Sequence, residues 1–103
     1  MLELNEDNFN KEIKENKLLV IDCWAIWCQP CLMMGPIFEE LSKEMRDVKF
    51  AKLNVDDNQD IAQRLGVMGI PTFIIFKDGK EVGRTTGAAQ KSIIKSKIEV
   101  AFK

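Results

Sequence analysis

Apolar and polar positions change their rhythm several times along this chain. Residues 18–24, LLVIDCW, form a short and almost unbroken apolar run rich in strand formers. That is the pattern of a central strand covered on both faces. From Cys31 to about Met45 the spacing becomes helical, with Met34, Ile37, Phe38, Leu41 and Met45 on one stripe. Pro36 falls inside that stripe, yet the periodicity continues, which predicts a kink rather than a stop. VKFAKLNV (48–55) and TFIIF (72–76) read as two further strands, and DNQDIAQRLG (57–66) reads as a short helix that stops at Gly66. Lys77-Asp78-Gly79-Lys80 is a two-residue hairpin signal, so EVGRTTG should return antiparallel. Residues 89–102 predict a last helix, with Ile94, Ile98, Ala101 and Phe102 on its apolar stripe.

At the other end, residues 5–15 predict a helix. Asn5 is the expected N-cap, Glu6 and Asp7 suit the positive end of the dipole, and Leu4 and Phe9 stand at staple positions. An edge strand around Leu2–Leu4 would precede it. The early alternation of strands and helices implies a parallel βαβ unit with a right-handed crossover, to which the hairpin adds antiparallel strands. The expectation is a mixed central sheet with helices on both faces, built as one domain over residues 1–103.

Composition narrows what such a domain can do. The 103 residues carry 15 basic and 16 acidic side chains, for a net charge of −1. No basic run suggests nucleic acid or an anionic membrane, and no apolar stretch approaches a spanning helix. The N-terminal MLELNEDNFNKEIKEN lacks the basic-then-apolar pattern of a signal peptide, so a cytoplasmic location is the default expectation. The absence of histidine excludes histidine-based acid–base chemistry and histidine metal ligation. Three cysteines are too few, and odd in number, for a disulfide scaffold.

Two of those cysteines, Cys28 and Cys31, should lie where the first central strand gives way to a helix, with the sulfurs at the exposed tip of the turn. A helix N-terminus carries partial positive charge and unpaired N–H groups, so a thiolate placed there is stabilised. The three-residue offset brings the second sulfur to the first, and the pair can close and reopen a disulfide by exchange. Pro30 fits the first helical turn, where its missing N–H costs little. The competing reading is half of a zinc site. Zinc wants four ligands, and one pair with a third cysteine and no histidine makes that reading weak. Asp22 is the other anomaly, because a carboxylate inside an apolar strand must be neutral, paired or turned to solvent.

VIDCWAIWCQPCLMMGP resembles the active-site segment of the thioredoxin family, whose common form reads WCGPC. FAKLNVDDNQDIAQRLGVMGIPTFIIFKDGKEVGRTTGA resembles the middle and C-terminal parts of that family in order and spacing, so the likeness covers essentially the whole chain. The resemblance implies the thioredoxin fold, an α/β three-layer sandwich whose mixed sheet of four to five strands is flanked by four helices. It implies a protein disulfide reductase in which Cys28 attacks a partner's disulfide and Cys31 resolves the mixed disulfide. Asp22 would accept a proton from below the second cysteine. Lys52 matches the lysine whose ammonium approaches that aspartate and limits the rise of its pKa. Pro71 in GIPT matches the family's cis-proline, which would turn the Ile70 backbone toward the cysteines for pairing with an extended substrate. Trp27 resembles an exposed indole beside the site. With Gln29, Pro30, Gly69, Ile70, Gly87 and Ala88 it would make a weakly polar docking patch. No bound cofactor or metal is implied. The implied partners are disulfide-containing proteins and a separate electron donor, a thioredoxin reductase or its equivalent, serving a monomer.

Two positions depart from the family pattern. Gln29 replaces the usual glycine between the cysteines and should stiffen the turn. Cys23 stands where an aromatic is usual, and strand alternation puts it on the face opposite Asp22. It reads as a small buried hydrophobe, so the oxidised protein should keep one slow-reacting thiol. The methionines at 33, 34 and 68 are expected to fill the space that its small side chain leaves.

Overall fold

The computed structural model describes residues 1–103. In chain order it contains β1 (Leu2–Glu3), α1 (Phe9–Glu15), β2 (Leu18–Trp24), α2 (Gln29–Glu44), β3 (Lys49–Asn54), α3 (Gln59–Arg64), β4 (Thr72–Lys77), β5 (Lys80–Thr86) and α4 (Lys91–Ala101). The five strands form one sheet in the order β1-β3-β2-β4-β5. β1 and β2 run parallel to β3, whereas β4 is antiparallel to both β2 and β5. This is the mixed, helix-flanked α/β sheet that the periodicity predicts.

Strand alternation sorts β2 onto two cores. Val20 joins Met34, Phe38 and Leu41 of α2 and Ile94 and Ile98 of α4 on one face. Leu19, Ile21 and Cys23 join Ile61 of α3 on the other, with Phe9 and Ile13 of α1 packed against them. Phe38 is the centre of the first core, with ring centroids 5.0 Å from Phe50 and 5.7 Å from Phe73. Burial of each such large side chain contributes roughly 1.5–3 kcal/mol relative to exposure. On the outer surface Lys91 reaches Glu40 and Glu44, and Lys95 reaches Glu44, joining α2 to α4.

The local signals act largely as their chemistry requires. Asp78 and Gly79 take φ of 52° and 81° between β4 and β5, the left-handed pair that a tight hairpin needs. α2 runs through Pro36 without ending. At the N-terminus the regular helix is shorter than the expected 5–15. Asn5 Oδ1 accepts from the backbone N–H of Asp7 and Asn8, while Asn8 Oδ1 accepts from Asn5 N–H at 2.8 Å. This reciprocal box closes a separate turn, and regular helix begins only at Phe9. The expected filling of the space beside Cys23 by methionine does not occur: Met34 is buried, but in the core on the opposite face of β2. Met33 and Met68 are 69% and 98% exposed, because Cys23 is already enclosed by aliphatic neighbours from β3, β4 and α3. No helix is long and apolar enough to cross a membrane.

Candidate active site

β2 ends at Trp24, and a short turn delivers the chain to Cys28, the N-cap of α2. Its extended backbone there (φ −93°, ψ 104°) leaves the side chain facing the first helical turn. Cys28 Sγ accepts from the backbone N–H of Cys31 at 3.3 Å. That is the unpaired N–H and the positive dipole end which would steady a thiolate. Pro30 occupies the first turn, as its missing N–H favours. Cys28 and Cys31 are joined as a disulfide, with Cα atoms 5.2 Å apart. No three His, Cys, Asp or Glu side chains gather as a metal-binding group.

The sulfurs are less exposed than a bare loop tip would leave them. Cys28 retains 5% of its surface and Cys31 2%, since Trp24, Val55 and Ile70 pack around them. The two cysteines are nonetheless unequal. Cys28 lines a surface groove of about 590 Å³, and Cys31 does not. Trp27, Gln29, Pro30, Gly69 and Ile70 line the same groove, while Pro71, Gly87 and Ala88 lie outside its lining. The Ile70–Pro71 peptide is cis, and the Ile70 carbonyl oxygen stands 3.9 Å from Cys28 Sγ. Pro71 itself is buried, and its carbonyl accepts from Gly87 N–H at 2.8 Å. Gly87 has a φ of 96°, a conformation that favours glycine.

Asp22 is fully buried, and neither carboxylate oxygen has a hydrogen-bond partner. Loss of solvation raises its pKa from 3.8 to about 7, with Lys52 pulling the other way. Asp22 and Lys52 are register partners on β2 and β3. The Lys52 ammonium makes no ion pair with the carboxylate. It sits 4.5 Å from the centroid of the Trp24 ring, a cation–π distance. Alternation puts Asp22 with Val20, on the face that α2 covers. Cys31 shares the buried side of α2 with Met34, Phe38 and Leu41, so aspartate and second cysteine belong to the same layer. Cys23 is free and buried on the opposite face. Burial, and secondarily the charge of Asp22, push its thiol up to about 12.

Trp27 is 66% exposed, and its Nε1–H donates to Asp56 Oδ2 at 2.8 Å. Asp56 had no signal of its own in the sequence, because its partner lies 29 residues away. Thr72 is a second residue that the pattern did not single out. It is buried after the cis-proline, donates to the Gly69 carbonyl and meets Thr86 Oγ1 at 3.2 Å, tying the 69–71 loop to β5.

Comparison with known proteins agrees with this geometry. The family model described as Thioredoxin matches residues 1–100. The chain is 42% identical over 99 residues to a thioredoxin of Chlorobaculum thiosulfatiphilum, covering 94% of this chain and 92% of that protein. It is 40% identical over 96 residues to a thioredoxin of Alicyclobacillus acidocaldarius subsp. acidocaldarius, covering 92% and 91% respectively. Among solved structures, Plasmodium falciparum thioredoxin superposes with a TM-score of 0.92 at 31% identity, over 97% of this chain and 98% of that one. Oxidised mitochondrial thioredoxin 3 of Saccharomyces cerevisiae gives a TM-score of 0.90 at 39% identity, over 97% and 94%.

Proposed function

This chain belongs to the thioredoxin family, and from that premise we propose how its residues divide the reaction of a protein-disulfide oxidoreductase. The reaction is dithiol–disulfide exchange through Cys28 and Cys31. The Cys28 thiolate attacks one sulfur of a partner's disulfide. A mixed disulfide forms, and the partner's other sulfur leaves as a thiolate that takes up a proton. Cys31 then gives its proton to the Asp22 carboxylate and attacks the Cys28 sulfur. The Cys28–Cys31 disulfide closes, and the partner's second sulfur leaves to be protonated. Two electrons have passed from the dithiol to the partner.

The observation that carries this division is the asymmetry of the pair. Cys28 caps the helix and opens on the groove, whereas Cys31 is sealed in the layer that holds Asp22. A midpoint of about 7 lets Asp22 both accept and release a proton near neutral pH. Lys52 keeps that midpoint from rising further. Trp27, Gln29, Pro30, Gly69 and Ile70 form the docking wall, with Pro71, Gly87 and Ala88 supporting the loop behind it. An extended substrate segment would pair with the Ile70 backbone.

Family membership implies disulfide-bearing protein substrates and a reductase that returns two electrons and two protons. We take that donor to be a flavin-containing thioredoxin reductase or its equivalent. A reducing compartment such as the cytoplasm suits the cycle, because there the dithiol is the resting form. In that setting the chain acts as a monomeric one-domain electron carrier in redox homeostasis. The test is reduction of insulin disulfides with a dithiol donor. Cys28→Ser abolishes turnover, and Cys31→Ser accumulates a covalent adduct with the partner. An inactive wild type whose Cys31→Ser variant traps nothing would make the chain a docking module instead.

A further inference from the structure

The groove beside Cys28 has no ionisable group in its wall apart from that cysteine itself. Met68 stands on it, immediately before Gly69 and Ile70, and is almost entirely exposed. A single exposed methionine is unremarkable. Here, however, Ile26, Trp27, Leu32 and Met33 also stand exposed in the sequence around the cysteine pair, while the cores of the fold are filled without any of them. Acidic side chains stand beside the groove without a cationic partner. Asp56 is tied to Trp27 on the groove wall, and Asp57 and Asp60 follow it on the way into α3. None of the three is held in an ion pair. The neighbouring cations are already held: Arg64 by Glu6, Lys52 over Trp24, and Arg84 by Glu81 and by the Leu65 and Gly66 carbonyls that precede Val67.

We propose that this groove selects substrates by the residue next to the attacked cysteine, taking disulfides with a large apolar neighbour and disfavouring an acidic one, with Met68 reading that neighbour. The inference rests on the reductase reading above. An apolar neighbour laid against Met68, Val67 and Ile70 leaves water at little cost, whereas a charged one finds no partner there. A carboxylate suffers twice, by desolvation and by repulsion from the acidic rim. A lysine suffers only the first and is attracted by the second. Methionine suits the task because its unbranched thioether side chain adapts to apolar shapes.

The experiment uses three fluorogenic peptides, each with one intramolecular disulfide, identical except for Leu, Lys or Glu beside the attacked cysteine. Rate constants with the pre-reduced protein are divided by those with dithiothreitol, which removes the intrinsic reactivity of each disulfide. The expected order is Leu, then Lys, then Glu, with roughly tenfold between the extremes, the scale of a modest apolar pocket contact. Met68→Lys should raise the Glu-to-Leu ratio severalfold, and Met68→Glu should lower it. Each variant is read as a ratio of its own rates, so a general loss of activity cancels. Equal corrected rates on the three peptides, or ratios that ignore the charge at position 68, overturn the selectivity and leave the reductase reading standing. A wild type that reduces none of the peptides, and no insulin, overturns the reductase reading together with the selectivity.

Discussion

Asp22→Asn removes one ionisable group from the interior, and its effect on stability can be worked out with its sign. In the folded chain the carboxyl titrates at about 7 against an ordinary 3.8, because burial penalises the charged form and Lys52 recovers only part of that penalty. A folded midpoint above the unfolded one means that the folded state holds the proton more tightly. Below pH 3.8 both states are protonated, and the group costs nothing through ionisation. As pH rises toward 7 the unfolded chain has released its proton while the folded chain keeps it. Stability then falls by up to ~1.4 kcal/mol per pH unit. Above that midpoint both states are ionised and the loss levels off at about 4 kcal/mol. That is a large fraction of the 5–15 kcal/mol, roughly, that holds such a domain together. The assay is urea unfolding of the oxidised wild type and of Asp22→Asn, from about pH 4 to about pH 9, with the difference plotted against pH. The variant should gain on the wild type through that window and then hold its advantage. The same variant should slow the decay of the mixed disulfide by roughly 10²-fold or more, the scale of a lost proton acceptor. A difference that stays flat with pH, or that favours the wild type increasingly as pH rises, would refute the burial argument.

Lys52→Gln removes the charge that lowers the Asp22 midpoint, so the pH profile of mixed-disulfide decay should move to higher pH. A profile that stays in place would show the two groups to be uncoupled. In the oxidised protein a thiol reagent should find one slow thiol, Cys23, which reacts fully only after denaturation, because the group is buried and its ionisation lies near 12. Two thiols reacting fast in the native oxidised state would contradict the assignment of the disulfide. Phe38→Ala should destabilise by about 3–5 kcal/mol in chemical denaturation, since the ring packs between Phe50 and Phe73. A cost below about 1 kcal/mol would mean that the core collapses into the vacated space.

Periodicity made β2, α2, the β4–β5 hairpin and α4 legible, because each has a run long enough to show one rhythm. The onset of α1 was legible only in part: Asn5 caps an opening turn, closed by Phe9 N–H to its carbonyl, with Asn8 reaching back to the Asn5 N–H, but continuous helix starts only at Phe9. The cysteines and the cis-proline were legible through family likeness, whose motifs are contiguous in sequence. Asp56 and Thr72 were not, since each earns its place by a contact across the fold, to Trp27 and to Thr86. Met33 and Met68 were misplaced for different reasons. Met68 stands in an irregular segment, where an apolar side chain carries no phase, whereas Met33 stands in α2 off the stripe of Met34, Phe38 and Leu41, so the helical period already turned it outward.

The site itself depends on strand register. Cys23 of β2 faces Thr72 of β4, and Thr72 faces Thr86 of β5. Because β2 and β4 are antiparallel, the chain leaving β2 toward Cys28 and the chain entering β4 through Ile70 and Pro71 meet at the same end of the sheet. This is how residues 42 apart in sequence come within 3.9 Å. The same register sets Asp22 opposite Lys52 on the other side of β2. A slip of one residue along β2 would turn Asp22 into the layer of Leu4 and Ile61, and turn Ile21 and Cys23 toward α2. The apolar run that builds the core is therefore also what aims the carboxylate. A hydrophobic alternation that tolerates one polar residue, on one face, at one position, thus sets Asp22 where the proposed exchange needs a proton acceptor.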